Sequence, residues 1–354
     1  MDDIAPYPAE QIRLPLHKHY ERSDVPLSER DGWLLPKRFH AISDEVSLLE
    51  HGSASVDFSD HGLLRLEGKD AVDFLNRIST NDFRSFSPGD SLQTVLATEK
   101  GKVVDSIIAV YRDDHLLLIV SRGAQSIVKQ WMEKFIIAED ISVVDQTGKY
   151  LLFAVFHPED VVENSIENNA GYVFHSKYYD HDAVFYIFDA MSVLPDSVRL
   201  LTENQVGNDA FEVYNIRQGI PQCQHEIMRE CNPLELNLWN QISFTKGCYI
   251  GQEVIARLDT YKKIQRTLCK FRSDSPVVPG SECRIVHGGK DIGIVTSCAR
   301  DDDNKGSFVG LGVIRKEFAL QGRKYSMADN AVSIVVEHVF EHDEIVDGNN
   351  NSNR

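Results

Sequence analysis

The most distinctive stretch of this chain, residues 242–257, reads ISFTKGCYIGQEVIAR. Two glycines bracket a cysteine, which indicates backbone held at unusual angles or approached closely by other atoms. The pattern predicts a loop that leads into a helix. Cys248 is either a reactive or metal-binding thiolate activated by the nearby cations of Lys246 and Arg257, or a buried structural side chain. The residue types alone leave both alternatives open.

The chain before this stretch alternates between strand and helix patterns. Apolar runs and helical spacing predict two successive α+β modules, the second ending in a helix over 209–218 that Gly219 and Pro221 stop. The predicted strands cover 63–67, 103–110, 115–120, 141–144, 150–156 and 183–188. After Ile264 the pattern changes to short strands separated by turns, which is typical of a small all-β domain.

Composition narrows the classes of function. The chain has 354 residues and a formal net charge of −17, so a general basic surface for duplex nucleic acid is excluded and no direct nucleic-acid partner is expected. No run approaches a membrane span, and the start is acidic, so we expect no membrane association and a cytoplasmic location. Six cysteines without a C-x-x-C pair predict neither a disulfide scaffold nor a metal site.

Two further positions are candidates for a binding site. Asn81 lies in the polar run 76–83 that follows an amphipathic helix. Asp105 lies inside an otherwise apolar strand, where a carboxylate is costly unless it is paired, hydrogen-bonded or facing a ligand. A strand edge that faces solvent would satisfy the same pattern for Asp105.

Residues 246–253 resemble the signature of the YgfZ-type folate-binding proteins. These are relatives of the glycine cleavage T-protein, an aminomethyltransferase, and of mitochondrial iron–sulfur assembly factors. Further segments support the resemblance in chain order, at 70–82, 101–105, 217–221 and 293–297. The resemblance extends over roughly residues 40 to 340.

The resemblance implies an α+β fold: a three-domain ring of two α+β domains and a C-terminal β-barrel around a central folate cleft. It implies that the first domain is discontinuous, with residues 1–59 plus 149–262, and that residues 60–148 are inserted as the second domain. The barrel is expected over 263–343. Residues 344–354 contain only two apolar side chains, Ile345 and Val346, that could be buried. This segment is therefore expected to be a disordered tail.

The resemblance also suggests site residues. Asp105 aligns with the carboxylate that faces the reactive region of the folate in T-proteins, so Cys248 and Asp105 are the catalytic candidates. A folate slot needs apolar walls, polar groups at the pterin edge and cations near the glutamate tail. The candidates for binding the cofactor are Asn81, Asp105, Phe211, Glu212, Arg217, Lys246 and Arg257. His61 and Phe211 fall where YgfZ-type proteins carry aromatic groups at the folate.

Two functions from different classes follow from the resemblance. The first is a tetrahydrofolate-binding accessory factor for iron–sulfur cluster assembly or repair, which affects tRNA modification indirectly. It would bind tetrahydrofolate or a one-carbon-substituted derivative, with iron–sulfur proteins or their assembly machinery as partners. The alternative is a folate-dependent aminomethyltransferase or related one-carbon transferase, motivated by Asp105. Ser106 stands where T-proteins usually carry a second aspartate.

Overall fold

The structure is a computed structural model that describes residues 12–158, 171–189, 201–227, 230–279, 283–302, 307–328 and 332–341. The tail predicted over 344–354 lies outside these ranges. The helices within them are α1 (His17–Arg22), α2 (Ile42–His51), α3 (Ala71–Ile78), α4 (Gln125–Glu133), α5 (Asn208–Gln218) and α6 (Gln252–Thr260). The strands within them are β1 (Ile12–Arg13), β2 (Leu27–Arg30), β3 (Trp33–Pro36), β4 (Ala54–Asp57), β5 (Gly62–Glu67), β6 (Ser91–Ala97), β7 (Val103–Arg112), β8 (His115–Val120), β9 (Ser142–Asp145), β10 (Tyr150–Phe156), β11 (Gly171–Tyr178), β12 (His181–Asp189), β13 (Arg266–Ser273), β14 (Arg284–His287), β15 (Lys290–Asp301), β16 (Ser307–Arg315), β17 (Lys324–Met327) and β18 (Ser333–Val339).

The described N-terminal segment forms a small sheet in the order β1-β3-β2. β2 and β3 make a hairpin whose turn holds Asp31 and Gly32 at φ values of 52° and 80°. Two successive residues with positive φ are the signature of a tight turn that matches strand twist. The hairpin projects Arg30 and Asp31 from its tip toward the rest of the molecule.

The first α+β sheet joins strands from distant parts of the chain in the order β11-β12-β10-β4. β10 pairs antiparallel with both β12 and β4, and α2 and α5 pack against each other beside this sheet. The second α+β sheet has the order β6-β7-β8-β5-β9, with α3 and α4 covering its apolar face. The strands of the second sheet all come from residues 62–145. In the sequence, this segment lies between β4 and β10, which both belong to the first sheet.

The C-terminal strands close into a barrel in the order β13-β16-β15-β14-β17-β18. Register in the β15–β16 pair shifts between Val295 and Ser297, which makes Thr296 the extra residue of a β-bulge. The observed α+β fold with a closed barrel confirms the architecture expected from the sequence.

The loop before α6 is held by close backbone packing. Gly251 has a φ of 82°, and a Cβ on it would come within 2.5 Å of the carbonyl oxygen of Thr98. Another residue at this position would be strained by its own backbone and would also clash. The predicted loop-to-helix junction is observed, because α6 begins at Gln252 immediately afterwards.

Candidate functional site

A central cavity opens where the two α+β sheets, the N-terminal hairpin and the barrel meet. It encloses about 1060 Å³ of empty space, including space open to solvent. The hairpin contributes Arg30 and Asp31, and the barrel contributes Ser297 and Leu311. Clefts where several parts of a fold meet are common places for small-molecule sites.

One face of α5 supplies a wall of the cavity. Asn208, Phe211, Glu212 and Asn215 recur at helical spacing, so their side chains lie on one face, and all four line the cavity. Gly219 ends the helix in the left-handed conformation, with a φ of 70°. The chain can then turn back, so that residues 220–223 also line the cavity.

Much of the remaining wall is apolar and aromatic. Phe58 stacks on the His61 ring at a centroid distance of 4.1 Å and meets Phe211 edge-on at 5.5 Å. The ring centroids of Tyr178 and Phe211 are 5.8 Å apart. These rings offer the flat surfaces on which a planar ligand can stack.

Two buried amide oxygens in the wall are unsatisfied. In the described part of the chain, neither Gln93 Oε1 nor Asn215 Oδ1 has a hydrogen-bond partner, although the two residues are 7% and 3% exposed. The amide nitrogen of Gln93 does have one, because it donates to Ser106 Oγ over 3.2 Å, and Ser106 donates to Gln241 Oε1 over 2.7 Å. An unsatisfied buried acceptor is costly, so each oxygen is a place where a ligand N–H would bind.

Asp105 lies directly behind the cavity wall and is fully buried. Its carboxylate accepts the backbone N–H groups of Ser106 and Ser121, each at 2.9 Å, and the Ser121 hydroxyl at 2.6 Å. Burial raises the pKa of Asp105 to about 6, although these hydrogen bonds oppose the shift. Ser106 and Ser121 line the cavity, so the carboxylate is connected to it through a hydroxyl.

Charged side chains of the cavity are organised around Arg122. Its guanidinium lies 2.5 Å from Asp60, 3.4 Å from Asp31 and 3.1 Å from the Asn208 side-chain oxygen. Burial raises the pKa of Asp60, but Arg122 and His61 outweigh it and hold this pKa at about 2. Through Asp31 and Asn208, Arg122 therefore links the hairpin tip to the start of α5.

Glu212 and Arg30 form a second pair at the cavity, 3.2 Å apart. Burial raises the pKa of Glu212, while Arg30 opposes the shift. The Arg30 side chain remains 45% exposed, compared with 19% for Arg122. Arg30 is therefore the lining arginine with more access to solvent.

Of the residues predicted from the sequence, Phe211 and Glu212 line the cavity and Asp105 lies behind its wall. Asn81 does not line the cavity itself but contacts a residue that does. Its side-chain amide donates to the backbone carbonyl of Gln93 over 2.9 Å. Its amide therefore supports the strand that carries Gln93.

The remaining predicted residues lie outside the cavity lining. Lys246 is buried, and its ammonium donates to the carbonyls of Asn76 (2.6 Å), Ser79 (3.0 Å) and Asn81 at the end of α3. Arg217 bonds Asp301 over 2.7 Å and also pairs with Glu50.

Arg257 and Cys248 are exposed at the surface. The second alternative for Cys248, a buried structural thiol, is therefore wrong, because the loop turns its side chain outward.

Sequence analysis did not select Gln93, Asn215, Arg122 or His225, which all line the cavity. Amides in an ordinary strand and helix carry no local signal, since only the tertiary fold leaves their oxygens unsatisfied. His225 had a weak one, because it follows a Gly-x-Pro turn at the end of a helix.

Among the residues that the structure describes, no group of three or more His, Cys, Asp or Glu side chains is arranged to hold a metal ion. Over the same ranges, the helices are too short or too polar to cross a membrane.

Comparison with known proteins identifies the family. The profile described as the GCVT N-terminal domain matches residues 16–239. A chloroplastic candidate transferase of Arabidopsis thaliana is 32% identical over 326 residues, covering 84% of this chain and 74% of the relative. An aminomethyltransferase of Lysinibacillus sphaericus is 22% identical over 348 residues, covering 88% of this chain and 92% of the relative.

A solved structure shows the same fold. The crystal structure of the glycine cleavage system aminomethyltransferase T from Bartonella henselae superposes with a TM-score of 0.78 at 18% identity, over 94% of this chain and 98% of that one. The chain belongs to the aminomethyltransferase-like GCVT domain family. Because the Arabidopsis relative is chloroplastic, membership of this family does not by itself imply the predicted cytoplasmic location.

Proposed function

We propose that this chain binds a tetrahydrofolate in the central cavity and transfers a one-carbon unit, as a folate-dependent aminomethyltransferase or a close variant. The proposal rests above all on the two unsatisfied acceptors, Gln93 Oε1 and Asn215 Oδ1, in a wall that also carries the aromatic rings of Phe58 and Phe211. A pterin is a flat ring system with N–H donors along one edge, so it matches both features. The relatives named aminomethyltransferase support the same class of reaction.

Different cavity residues would bind different parts of the folate. Gln93 and Asn215 would accept hydrogen bonds from the pterin edge, and Phe58 and Phe211 would cover the ring faces. Arg30 is partly exposed and is the lining cation best suited to a carboxylate tail that stays in solvent.

Tetrahydrofolate, when bound, supplies the nitrogen atoms that carry the one-carbon unit. Asp105 contributes a carboxyl group whose pKa of about 6 lets it hold or release a proton near neutral pH. Its link to the cavity is the Ser121 hydroxyl, which donates to it over 2.6 Å. Asp105 also fixes Ser106 and Ser121 through their backbone N–H groups.

The test is ammonia release by purified protein supplied with tetrahydrofolate and a lipoyl carrier that bears an aminomethyl group. We expect release above background, a loss of at least tenfold in Asp105→Ala, and no change in the exposed variant Arg257→Ala. No release by the wild type above background would contradict aminomethyl transfer.

A second function is favoured by one observation. Cys248 is exposed in the segment that resembles the YgfZ-type signature, on a loop anchored by Lys246 and Gly251 and apart from the cavity. We propose as the alternative that the protein is a folate-binding accessory factor for iron–sulfur proteins, with an indirect effect on tRNA modification. Cys248 would then act as a transient ligand or redox-active thiol.

The cysteine variant separates the two functions. Under the alternative, Cys248→Ala loses the ability to restore iron–sulfur enzyme activity in a deletion strain, while tetrahydrofolate binding stays within threefold of the wild type. Full restoration by Cys248→Ala would rule out a role for this thiol.

A further inference from the structure

A row of hydrogen bonds runs from Gln241 through Ser106 to Gln93 at the cavity wall. Ser106 Oγ donates to Gln241 Oε1 over 2.7 Å, and Gln93 Nε2 donates to Ser106 Oγ over 3.2 Å. All three residues are buried. Gln93 and Ser106 line the cavity, whereas Gln241 is not among its lining residues. Gln241 therefore acts on a ligand through the other two.

Backbone contacts hold both glutamines in place. Gln93 lies on β6, and its carbonyl accepts the side-chain amide of Asn81 over 2.9 Å. Gln241 ends a single 3₁₀ turn, Trp239–Gln241, and its carbonyl accepts the Thr80 hydroxyl over 2.7 Å. One short segment of chain, residues 80 and 81, thus contacts both glutamines. The orientation of the Gln93 amide is then decided by its side-chain partner.

Counting donors along the row fixes how the Gln93 amide is oriented. A serine hydroxyl has a single proton, and the proton of Ser106 points to Gln241 Oε1. Ser106 can then only accept from Gln93, so the amide nitrogen turns to the serine and Oε1 turns away from it. Within the described ranges, this Oε1 has no partner of its own. The Tyr179 hydroxyl lies beside Ser106 but donates to the carbonyl of Pro221 over 2.8 Å, so it has no proton left for the serine.

Two free acceptors on separate elements call for donors at separate points of a ligand. Gln93 lies on β6 and Asn215 lies on α5. Every pterin carries donors on its amino edge, at the 2-amino group and N3. Further donors on the ring exist only in its reduced form, where N5 and N8 carry hydrogen. In folic acid, both of these nitrogens are bare acceptors.

We infer that Gln93 makes the central cavity selective for a reduced pteridine ring, and that Gln241, through Ser106, is the positioning residue for this selectivity. The class of ligand rests on the proposed function. Gln93 takes the N5 or N8 side of the ring, because it contacts Ser106, whose neighbour Asp105 is the proton-holding carboxyl of that function. The fixed Oε1 accepts an N–H of tetrahydrofolate but faces a lone pair of folic acid. A site built around such a hydrogen bond rejects the analogue that lacks it.

The substitution Gln241→Leu tests the assignment, because it removes the acceptor of the serine proton with little change in volume. Ser106 is then free to donate to Gln93 Oε1, and the amide turns its N–H groups to the cavity. Ser106→Ala removes the link altogether, whereas Ser106→Thr keeps a hydroxyl at the same place. Asn240→Leu is the matched control, because Asn240 lies in the same 3₁₀ turn but is exposed and bonds Asp180.

The first readout is the ratio of Kd for folic acid to Kd for tetrahydrofolate, from calorimetric titration of the full chain under anaerobic, reducing conditions. We expect a ratio of at least about 30 in the wild type, Asn240→Leu and Ser106→Thr. We expect this ratio to fall at least tenfold in Gln241→Leu and Ser106→Ala. General damage to the cavity would weaken both folates alike and leave the ratio unchanged.

The second readout needs no ligand. It is the side-chain amide signal of Gln93 in the full chain labelled with ¹⁵N-glutamine, assigned with Gln93→Leu. In the wild type, we expect a nuclear Overhauser contact between these amide protons and the β-protons of Ser106. In Gln241→Leu, we expect this contact to be lost and the amide protons to exchange faster with water.

A wild type that binds both folates equally, or a ratio that Gln241→Leu leaves unchanged, would overturn the assignment. So would wild-type amide protons of Gln93 that lack the contact to Ser106. If the wild type binds neither folate, the proposed function fails, and the selectivity for a reduced ring fails with it. The amide signals then still decide whether Gln241 orients Gln93.

Discussion

Replacing Asp105 with asparagine should remove a pH dependence of stability that this one buried carboxylate creates. Burial raises its pKa from the usual 3.8 to about 6. A folded-state pKa above the unfolded one means that the protonated form stabilises the fold at low pH. This contribution is fully present below pH 3.8 and is lost as the pH rises through 6.

The magnitude follows from the two pKa values. A difference of about 2 between them corresponds to about 3 kcal/mol over the full titration, at about 1.36 kcal/mol per pKa unit. Between pH 5 and pH 7.5, about 1 kcal/mol of it is lost. Asparagine has nearly the same shape and does not titrate, so the difference between wild type and Asp105→Asn isolates this group.

The assay is urea unfolding of both proteins, followed by circular dichroism at several pH values from 5 to 7.5. We expect the wild type to lose about 1 kcal/mol of unfolding free energy relative to Asp105→Asn over this range. Asp113→Asn, a change at a side chain that is 86% exposed, controls for the loss of a surface carboxylate. A difference between wild type and Asp105→Asn that stays constant, or that grows in the opposite direction, would refute the buried placement of Asp105.

Two further predictions concern cations with buried partners. Arg122→Met leaves the Asp60 carboxylate buried without its cation and should cost about 3–5 kcal/mol, seen as a lower melting temperature in calorimetry; an unchanged melting temperature would contradict the pairing. Lys246→Met removes the ammonium that holds three carbonyls at the end of α3 and should cost about 2–3 kcal/mol in urea unfolding. Its tetrahydrofolate affinity should stay within threefold of the wild type, and a larger loss would return Lys246 to the ligand site.

The fold was predictable wherever local patterns agree with tertiary pairing. The run 150–156 is almost wholly apolar and becomes β10, and Gly219 ends α5 as expected. Local patterns do not predict the N-terminal sheet, because β1 pairs with β3 across α1. β17 has only four residues, of mixed polarity, and these carry no local strand signal.

The site was predictable only in part, for a related reason. Asp105 stood out because a carboxylate inside an apolar strand needs a partner. Lys246 suggested an anionic ligand, yet its partners are backbone carbonyls, which leave no trace in the sequence. The same limit applies to Gln93 and Asn215, whose free acceptors exist only after folding.

The domain division expected from the sequence remains a proposal: a discontinuous first domain, 1–59 plus 149–262, with 60–148 inserted and a barrel over 263–343. The shared sheet of β4 and β10 supports it. Limited proteolysis that releases residues near 60–148 as a stable fragment would agree with it, whereas cuts confined to other segments would not.

The most direct test of folate binding in the central cavity is calorimetric titration with tetrahydrofolate under anaerobic, reducing conditions. The wild type should bind one equivalent, and Asn215→Leu, which removes a buried acceptor from the wall, should bind at least tenfold more weakly. Arg257→Ala, exposed and outside the cavity, should match the wild type within threefold. Absence of binding by the wild type, or equal weakening in the two variants, would contradict the account.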